Sequence, residues 1–237
     1  MRIAKWLSFL LYFVLCLSSA ADKQTATLTL AYVEFPPFTF TNKNGQADGS
    51  LLEKAQHIVT LAGYEYKTIA LPAKRLIKYL LAGKVDIWIG IKQAVELRNE
   101  VLISTQQIGS ASLNIYALNN KKVTQLSELH NHKVIILRGY NYGGAIDYII
   151  DSKNNIKTFV TNTHESAFNM LATKRADYLL AYQHPANLAL QNIYIEGLAI
   201  SNLSQLPLYF IISKKTADAD IVLAKLEQTL KTIKSND

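Results

Sequence analysis

The sequence predicts an α/β protein with two lobes, each a mainly parallel sheet flanked by helices, joined by two extended crossings. Three observations lead to this fold class. Strand and helix patterns alternate along the chain with short connectors, which is typical of mainly parallel sheets. A first series of such elements is followed by a second, similar series. Two further extended segments, 113–118 and 208–213, lie between the series and near the end of the chain.

The first series begins at residue 27 and contains three strands and two helices. The strands, recognised by period-two alternation or by a nearly continuous apolar run, are predicted at 27–32, 65–70 and 85–91. The helices, whose apolar residues recur every three or four positions, are predicted at 51–62 and 76–81. Gly63 and Gly83 are expected to end these two helices.

The second series begins at residue 133 and has a similar order of elements. Its strands are predicted at 133–137, 158–161 and 178–182. A helix opens with 145–150, directly after Gly143-Gly144, and Thr163 is the predicted N-cap of the next helix. A final amphipathic helix is predicted from about residue 217 to residue 233.

The domain division follows from the order of the two series. Residues 22–112 and 208–237 are predicted to form one lobe, and residues 113–207 to form a second lobe inserted into it. The two extended segments would then cross between the lobes. The cleft between the lobes is the expected position of a ligand site.

Residues 1–21 are typical of a secretory signal peptide. Arg2 and Lys5 precede an apolar run, and small residues then lead to the polar Asp22. The apolar run is shorter than the ~20 residues that a membrane-spanning helix needs, so we expect cleavage and a periplasmic location. Cys16 is the one cysteine of the chain, and cleavage removes it. The mature protein would therefore contain no disulfide, no thiolate nucleophile and no cysteine metal site.

Composition and motifs exclude several other classes of protein. Removing the leader lowers the net charge from +7 by the two charges of Arg2 and Lys5, to +5, and the remaining lysines are scattered rather than concentrated in a stripe. This distribution argues against nucleic-acid binding. The sequence has no Gly-x-x-x-x-Gly-Lys-Ser/Thr loop for a nucleotide, and His130-Asn131-His132 offers too few ligands for zinc. We expect no cofactor and no metal, and a monomer.

Five short motifs, in order and at matching spacing, resemble the family-3 extracellular solute-binding proteins, the group that contains the periplasmic histidine- and glutamine-binding proteins. They are Phe35-Pro36-Pro37-Phe38, Leu80-Leu81-Ala82-Gly83-Lys84-Val85-Asp86, Glu96-Leu97-Arg98, Lys133-Val134-Ile135-Ile136-Leu137-Arg138-Gly139 and Leu171-Ala172-Thr173-Lys174-Arg175-Ala176-Asp177. The resemblance implies a type II periplasmic-binding-protein fold. It also implies capture of an amino acid or related small carboxylate by hinge closure, without chemistry, for an ABC transporter.

Two alternative functions remain open on the same scaffold. One is a periplasmic sensor that reports ligand binding to a membrane signalling partner. The other is a dehydratase-like enzyme, which would need an acid or base inside the cleft. The expected partners are thus a small ligand and either a membrane permease or a sensor.

The resemblance also implies a set of ligand-binding residues. Arg98, twelve residues after Asp86, matches the arginine that forms a bidentate salt link with the ligand carboxylate. Phe35 matches an aromatic residue that covers the ligand. The other predicted contacts are the Tyr32 hydroxyl, Gln93, Arg75, the loop residues Tyr140 and Asn141, and Tyr182.

Tyr182 departs from the family pattern. Counting five residues from Asp177 reaches Tyr182, where amino-acid-binding members carry an aspartate that holds the α-ammonium group. A phenol accepts a hydrogen bond but supplies no negative charge. Glu34 and Glu165 are candidate replacements for that charge, although the sequence does not place either in the cleft.

Overall fold

The computed structural model describes residues 27–93 and 99–236, so the predicted leader and Arg98 lie outside the described residues. The strands are β1 (Thr27–Tyr32), β2 (Phe40–Thr41), β3 (Ala47–Asp48), β4 (Glu65–Ala70), β5 (Ile87–Gly90), β6 (Val101–Ile103), β7 (Gly109–Ala117), β8 (Lys133–Leu137), β9 (Lys157–Thr161), β10 (Tyr178–Tyr182) and β11 (Ala199–Ser213). The helices are α1 (Ser50–Leu61), α2 (Ala73–Ala82), α3 (Ala145–Ile150), α4 (His164–Ala172), α5 (Gln183–Leu190) and α6 (Ala219–Asn236).

One sheet of nine strands contains every strand except β2 and β3, which pair with each other. The order β4-β1-β5-β11-β7-β10-β8-β9 places two parallel groups at its ends, β4-β1-β5 and β10-β8-β9. β7 and β11 run antiparallel to their neighbours in the middle of the sheet, and β6 adds an antiparallel pair with β11. The α/β fold class is confirmed, and its parallel strands lie on either side of an antiparallel centre.

Most predicted elements are present, with some changes of extent. The strand predicted at 85–91 covers only Ile87–Gly90, because Asp86 is tied to neighbouring segments by its side chain. The extended segment predicted at 208–213 is the second half of the 15-residue strand β11. Thr163 is the N-cap of α4, since its hydroxyl accepts a hydrogen bond from the Ser166 N–H. The sequence analysis missed the β2–β3 hairpin, β6 and α5.

The buried core divides at the crossings. Two of its hydrophobic clusters are drawn from residues 28–111 and 208–230, and the other two from residues 113–206. We refer to these parts as the first and the second lobe. We propose the predicted boundaries, 112/113 and 207/208, as the lobe boundaries, because the clusters divide at these points.

The two crossings are paired with each other along most of their length. β7 and β11 are hydrogen-bonded from the Gly109–Leu208 pair to the Ala117–Ala199 pair, with a bulge between Asn202 and Ser204. Pro207 pairs with Ser110 next to the lobe boundary, and proline has no N–H to give to the ladder. The lobes are therefore joined by a two-stranded ribbon that lacks one N–H donor next to the 207/208 boundary.

An aspartate holds equivalent strands together in each lobe. Asp86 precedes β5 and accepts a hydrogen bond of 2.8 Å from the Thr29 N–H in β1, and a second of 2.9 Å from the Thr216 hydroxyl. Asp177 precedes β10 and accepts a bond of 2.8 Å from the Lys133 N–H in β8. The Lys-Val-Asp and Arg-Ala-Asp motifs thus have the same task, which is to fix a parallel strand in register beside its neighbour.

None of the helices within the described ranges combines the length and apolar character needed to cross a bilayer.

We expect Asp86→Ala to lower the free energy of unfolding by about 2 kcal/mol, the usual scale for hydrogen bonds to a charged group. Asp177→Ala should cost less, because the Asp177 side chain is 48% exposed and water replaces its lost bonds. Urea unfolding followed by circular dichroism measures both. Asp86→Asn, which keeps an acceptor oxygen, is the control and should lose less than Asp86→Ala. Equal losses for the alanine variants at Asp86 and Asp177 would contradict this account.

Candidate functional site

Aromatic rings from both lobes meet at the carboxyl ends of parallel strands. Phe35 follows β1 in the first lobe, Tyr140 and Tyr142 follow β8, and Tyr182 ends β10 in the second lobe. We call these four residues the ring cluster. The Phe35 ring centroid lies 5.1 Å from that of Tyr182 and 5.9 Å from that of Tyr140. Clefts at the carboxyl ends of strands are the usual ligand sites of open α/β sheets.

Most rings of the cluster are inclined to one another, whereas Tyr142 and Tyr182 stack at 28°. Phe35 meets Tyr182 at 88° and Tyr140 at 70°, and Tyr140 meets Tyr182 at 60°. Edge-to-face pairs at these distances are attractive, each by about 0.5–1.5 kcal/mol beyond simple burial. The two Phe35 pairs therefore favour contact between the lobes.

Phe35 is positioned by a turn that caps α1. The Phe35 carbonyl accepts hydrogen bonds from the N–H groups of Phe38 and Thr39, which closes the turn. The Phe38 carbonyl in turn accepts from Leu51 and Leu52, in the first turn of α1. A Cβ atom at Gly49 would clash with that carbonyl, so only glycine allows this approach. The sequence Phe35 to Gly49 thus fixes the ring on the frame of the first lobe.

The loop from Gly139 to Gly144 positions the tyrosines of the second lobe. The Asn141 side-chain oxygen accepts from the Gly144 N–H at 2.5 Å, and the Tyr142 hydroxyl accepts from the Leu137 N–H at 2.6 Å. Gly143 has a φ of 69°, and a Cβ atom there would approach the Leu206 side chain within 2.7 Å. The loop is therefore held by its own side chains and packs against the crossing strand β11.

Burial keeps the three phenols of the cluster uncharged. Desolvation raises the pKa of Tyr140 to about 12 and raises the pKa values of Tyr142 and Tyr182 still further above the ordinary tyrosine value. At neutral pH these hydroxyl groups can donate or accept hydrogen bonds. They supply no negative charge to the cleft.

Two histidines border the ring cluster, and the sequence analysis assigned neither to the site. His164, the first residue of α4, lies 6.1 Å from the Tyr140 ring, and His184 lies 4.3 Å from the ring of Phe38. The His164 Nε2 atom is buried and has no hydrogen-bond partner within the described residues. Burial lowers the pKa of His164, although the neighbouring Glu165 opposes this effect. In the sequence, the one indication that His164 belongs to the site was its position after the carboxyl end of β9.

The remaining predicted residues lie in varied positions. Tyr32 is buried, and its hydroxyl is within hydrogen-bond distance, 2.9 Å, of the Thr41 hydroxyl. Gln93 and Arg75 are exposed. Asn141 is engaged in its own loop, as described above. Arg98 lies outside the described residues, so its predicted contact with a ligand carboxylate stays a prediction, as do the ligand contacts of the other predicted residues.

Two cavities lie apart from the rings or behind them. One of about 230 Å³, bordered by His132 and Tyr178, lies at the amino ends of β8 and β10, opposite the ring cluster. The other, of about 490 Å³, lies between Tyr142 and Leu206, behind the loop. Within the described ranges, no three side chains of the metal-binding types come together.

Comparison with known proteins agrees with this geometry. The model for bacterial extracellular solute-binding proteins, family 3, matches residues 28–237. A search of curated protein sequences finds no match.

Solved structures with this fold include proteins of different roles. A histidine kinase sensor domain with similarity to periplasmic binding proteins has a TM-score of 0.70 at 18% identity, over 90% of this chain and 91% of that one. An ancestral arginine-binding protein bound to arginine has a TM-score of 0.68 at 21% identity, covering 89% and 93%. The substrate-binding protein of an amino acid ABC transporter has a TM-score of 0.65 at 18% identity, covering 89% and 94%. These similarities confirm the two-lobed, type II periplasmic-binding-protein fold.

We expect His164 to reduce stability in acid. Its pKa in the folded protein lies below the unfolded value, near 6.5, so the unfolded chain takes up this proton first as the pH falls. The contribution of neutral His164 is complete above pH 6.5 and is lost progressively below it. Wild-type protein should therefore lose more stability than His164→Gln between pH 7.5 and about pH 5, measured by urea unfolding. His57→Gln, at an exposed position on α1, is the matched control. Parallel pH profiles for wild type and His164→Gln would refute the expectation.

Proposed function

Because the chain belongs to the bacterial extracellular solute-binding proteins of family 3, we propose that it captures an amino acid or a related small carboxylate between its lobes by hinge closure. The observation that carries the proposal is the contact of Phe35 with Tyr140 and Tyr182, which joins the two lobes at the carboxyl ends of their strands. A solute held at this point would touch both lobes at once. Such a ligand binds the closed form more tightly and shifts the population towards it.

The hinge that we propose lies in the β7–β11 ribbon. Pro207 lies at the 207/208 boundary and has no N–H to give to the ladder, and Gly109, which pairs with Leu208, lies on the opposite strand. On both sides of this point the strands are fixed by the cores of the lobes. Bending at Gly109 and Pro207 would move the ring cluster apart while leaving each core intact.

Arg98 is the proposed anchor for the ligand carboxylate. Its support is the spacing from Asp86 and the chemistry of guanidinium, whose planar fork of donors complements two carboxylate oxygens. Phe35, Tyr140 and Tyr182 would cover the apolar part of the ligand. Tyr32, Asn141, Gln93 and Arg75 stay in the proposal as further contacts, with less support from their positions.

We further propose that residues 1–21 direct export and are cleaved, which places the binding unit in the periplasm. The partner would be the permease of an ABC transporter, the role named for one of the similar structures. A sensory role for a membrane signalling partner is the second candidate, because a sensor domain has the same fold at a TM-score of 0.70. Loss of uptake on deletion favours transport, whereas ligand-dependent binding to a kinase without loss of uptake favours sensing.

A dehydratase-like activity is the third candidate. His164 is a titratable group beside the rings, and its Nε2 atom has no hydrogen-bond partner among the described residues, which is the kind of group that an acid–base reaction needs. Consumption of a cyclic carboxylic acid by purified protein would favour this activity over binding alone. Recovery of the unchanged ligand after prolonged incubation would favour the binding protein.

A thermal-shift screen of amino acids, polyamines, short peptides and organic acids on the mature protein should identify a stabilising solute. With that solute, Arg98→Ala should weaken binding by about 2 kcal/mol or more in calorimetry, because one side of a buried charge pair is lost. Arg98→Lys keeps the charge but loses the fork and should also bind more weakly.

The control is Arg175→Ala, which removes an exposed arginine at the amino end of β10. Its affinity should equal that of the wild type. Unchanged affinity in Arg98→Ala would remove Arg98 from the site. The absence of any stabilising solute, together with an unchanged radius of gyration in solution scattering, would reject the capture mechanism.

A further inference from the structure

The electrostatics of the ring cluster point to a narrower class of ligand. Resting on the proposed function, we propose that the cleft selects a carboxylate with a flat aromatic body and no ammonium group, an arylalkanoate such as 3-phenylpropanoate, over a zwitterionic amino acid.

The shape of the ring cluster favours a flat, apolar guest. Three rings inclined at 60–88° form the corner where the lobes meet, and each contributes an apolar face or edge. An aromatic ring that parts them can replace each lost ring contact by a similar one, worth about 0.5–1.5 kcal/mol. An aliphatic or strongly hydrated group would leave these contacts unreplaced.

The charge of the cluster disfavours an ammonium group. Tyr182, at the end of β10, is a neutral phenol at pH 7.5, as tyrosine ordinarily is, and burial raises its pKa further, with the neighbouring Tyr140 adding to the effect. A buried ammonium without an anionic partner loses several kcal/mol of hydration. Cation–π attraction to the rings returns about 2 kcal/mol, which does not offset that loss.

The nearby carboxylates are committed elsewhere. Glu34 accepts hydrogen bonds from the N–H and the hydroxyl group of Thr41, at 3.1 and 2.6 Å, and is exposed. Asp48 accepts from the Gly49 N–H and from the Asn42 amide. Glu165 is exposed at the start of α4. Within the described residues, no acidic side chain forms a hydrogen bond with a member of the ring cluster.

His164 adds a neutral polar group at the edge of the cluster. Its Nε2 atom is buried beside Tyr140 with no hydrogen-bond partner in the described part of the chain, and burial disfavours its protonated form. A hydroxyl or carbonyl substituent on the ligand's aromatic body could pair with it. The polar character of this edge is therefore that of a hydrogen-bonding site rather than of a charged one.

The test uses matched ligands that differ in a single group. Calorimetry on the mature protein at pH 7.5 compares 3-phenylpropanoate with L-phenylalanine, which has the same skeleton and carboxylate but adds the α-ammonium group. We expect 3-phenylpropanoate to bind more tightly by more than about tenfold, because the described residues offer the ammonium no anionic partner at the ring cluster. Phenylalanine binding as tightly as or more tightly than 3-phenylpropanoate overturns the proposal.

A matched pair of variants tests the part played by Tyr182. Tyr182→Asp places a carboxylate at the end of β10, and Tyr182→Asn places a side chain of the same shape without the charge. The ratio of phenylalanine affinity to phenylpropanoate affinity should be more than about tenfold higher in Tyr182→Asp than in Tyr182→Asn. Equal ratios overturn the assignment of Tyr182 as the residue that excludes the ammonium. Thermal unfolding first establishes that both variants are folded.

The outcomes separate this inference from the proposed function. Tight binding of any zwitterionic amino acid, with closure in solution scattering, supports capture between the lobes and overturns the ligand class. Failure of every solute in the screen overturns both. Binding of 3-phenylpropanoate that is lost in Phe35→Ala but kept in the exposed control Tyr194→Ala supports both.

Discussion

The contact between Phe35 and the two tyrosines of the second lobe is the interaction on which the site depends. Here side chains of both lobes touch at the carboxyl ends of their strands, as Phe38 and His184 also do. The positions of these rings are determined by hydrogen bonds outside the ring contact. Phe35 is held because the Phe38 carbonyl caps α1, and Tyr142 is held because its hydroxyl bonds to the Leu137 N–H. The cleft is thus formed where two separately packed lobes meet, and the ribbon of β7 and β11 is the hinge that we propose.

The elements of the scaffold differ in how well the sequence predicts them. The strands at 27–32, 133–137 and 178–182 have the predicted bounds, because their alternation or apolar runs reflect local burial on a sheet. The first half of β11 was missed, since Ser201, Asn202, Ser204 and Gln205 show no strand alternation and its extent is set by pairing with the distant β7. α5 was missed because its second and third residues, His184 and Pro185, do not resemble a helical pattern, although proline is tolerated in a first turn. The extent of such elements is set by pairing with distant strands and by the residues at helix ends.

The candidate site was predictable only in part, because its contacts join residues that are distant in the sequence. Motif order and spacing placed Phe35, Tyr140 and Tyr182 near the cleft, and the structure brings these three rings together. Their mutual contact depends on side-chain directions that follow from two turns, in which a Cβ atom at Gly49 would clash with the Phe38 carbonyl and one at Gly143 would meet the Leu206 side chain. No sequence pattern indicates that His164 Nε2 is buried without a hydrogen-bond partner within the described residues. Its surroundings include Tyr140, which is 24 residues away in the sequence.

A ring contact that joins the lobes also limits the binding free energy that a ligand can gain. Each Phe35 pair favours the closed arrangement by about 0.5–1.5 kcal/mol, and a ligand that separates the rings has to replace these contacts before it adds any of its own. A guest with a flat ring meets this condition, while the carboxylate end can form a charge-assisted link that the rings do not oppose. A guest with an ammonium group finds no compensating charge among the neutral phenols, even where its body replaces the ring contacts. Affinity in such a cleft is therefore set by the difference between the contacts that the ligand makes and the ring contacts that it displaces, and so by the chemistry of the ligand's body as much as by its anchored carboxylate.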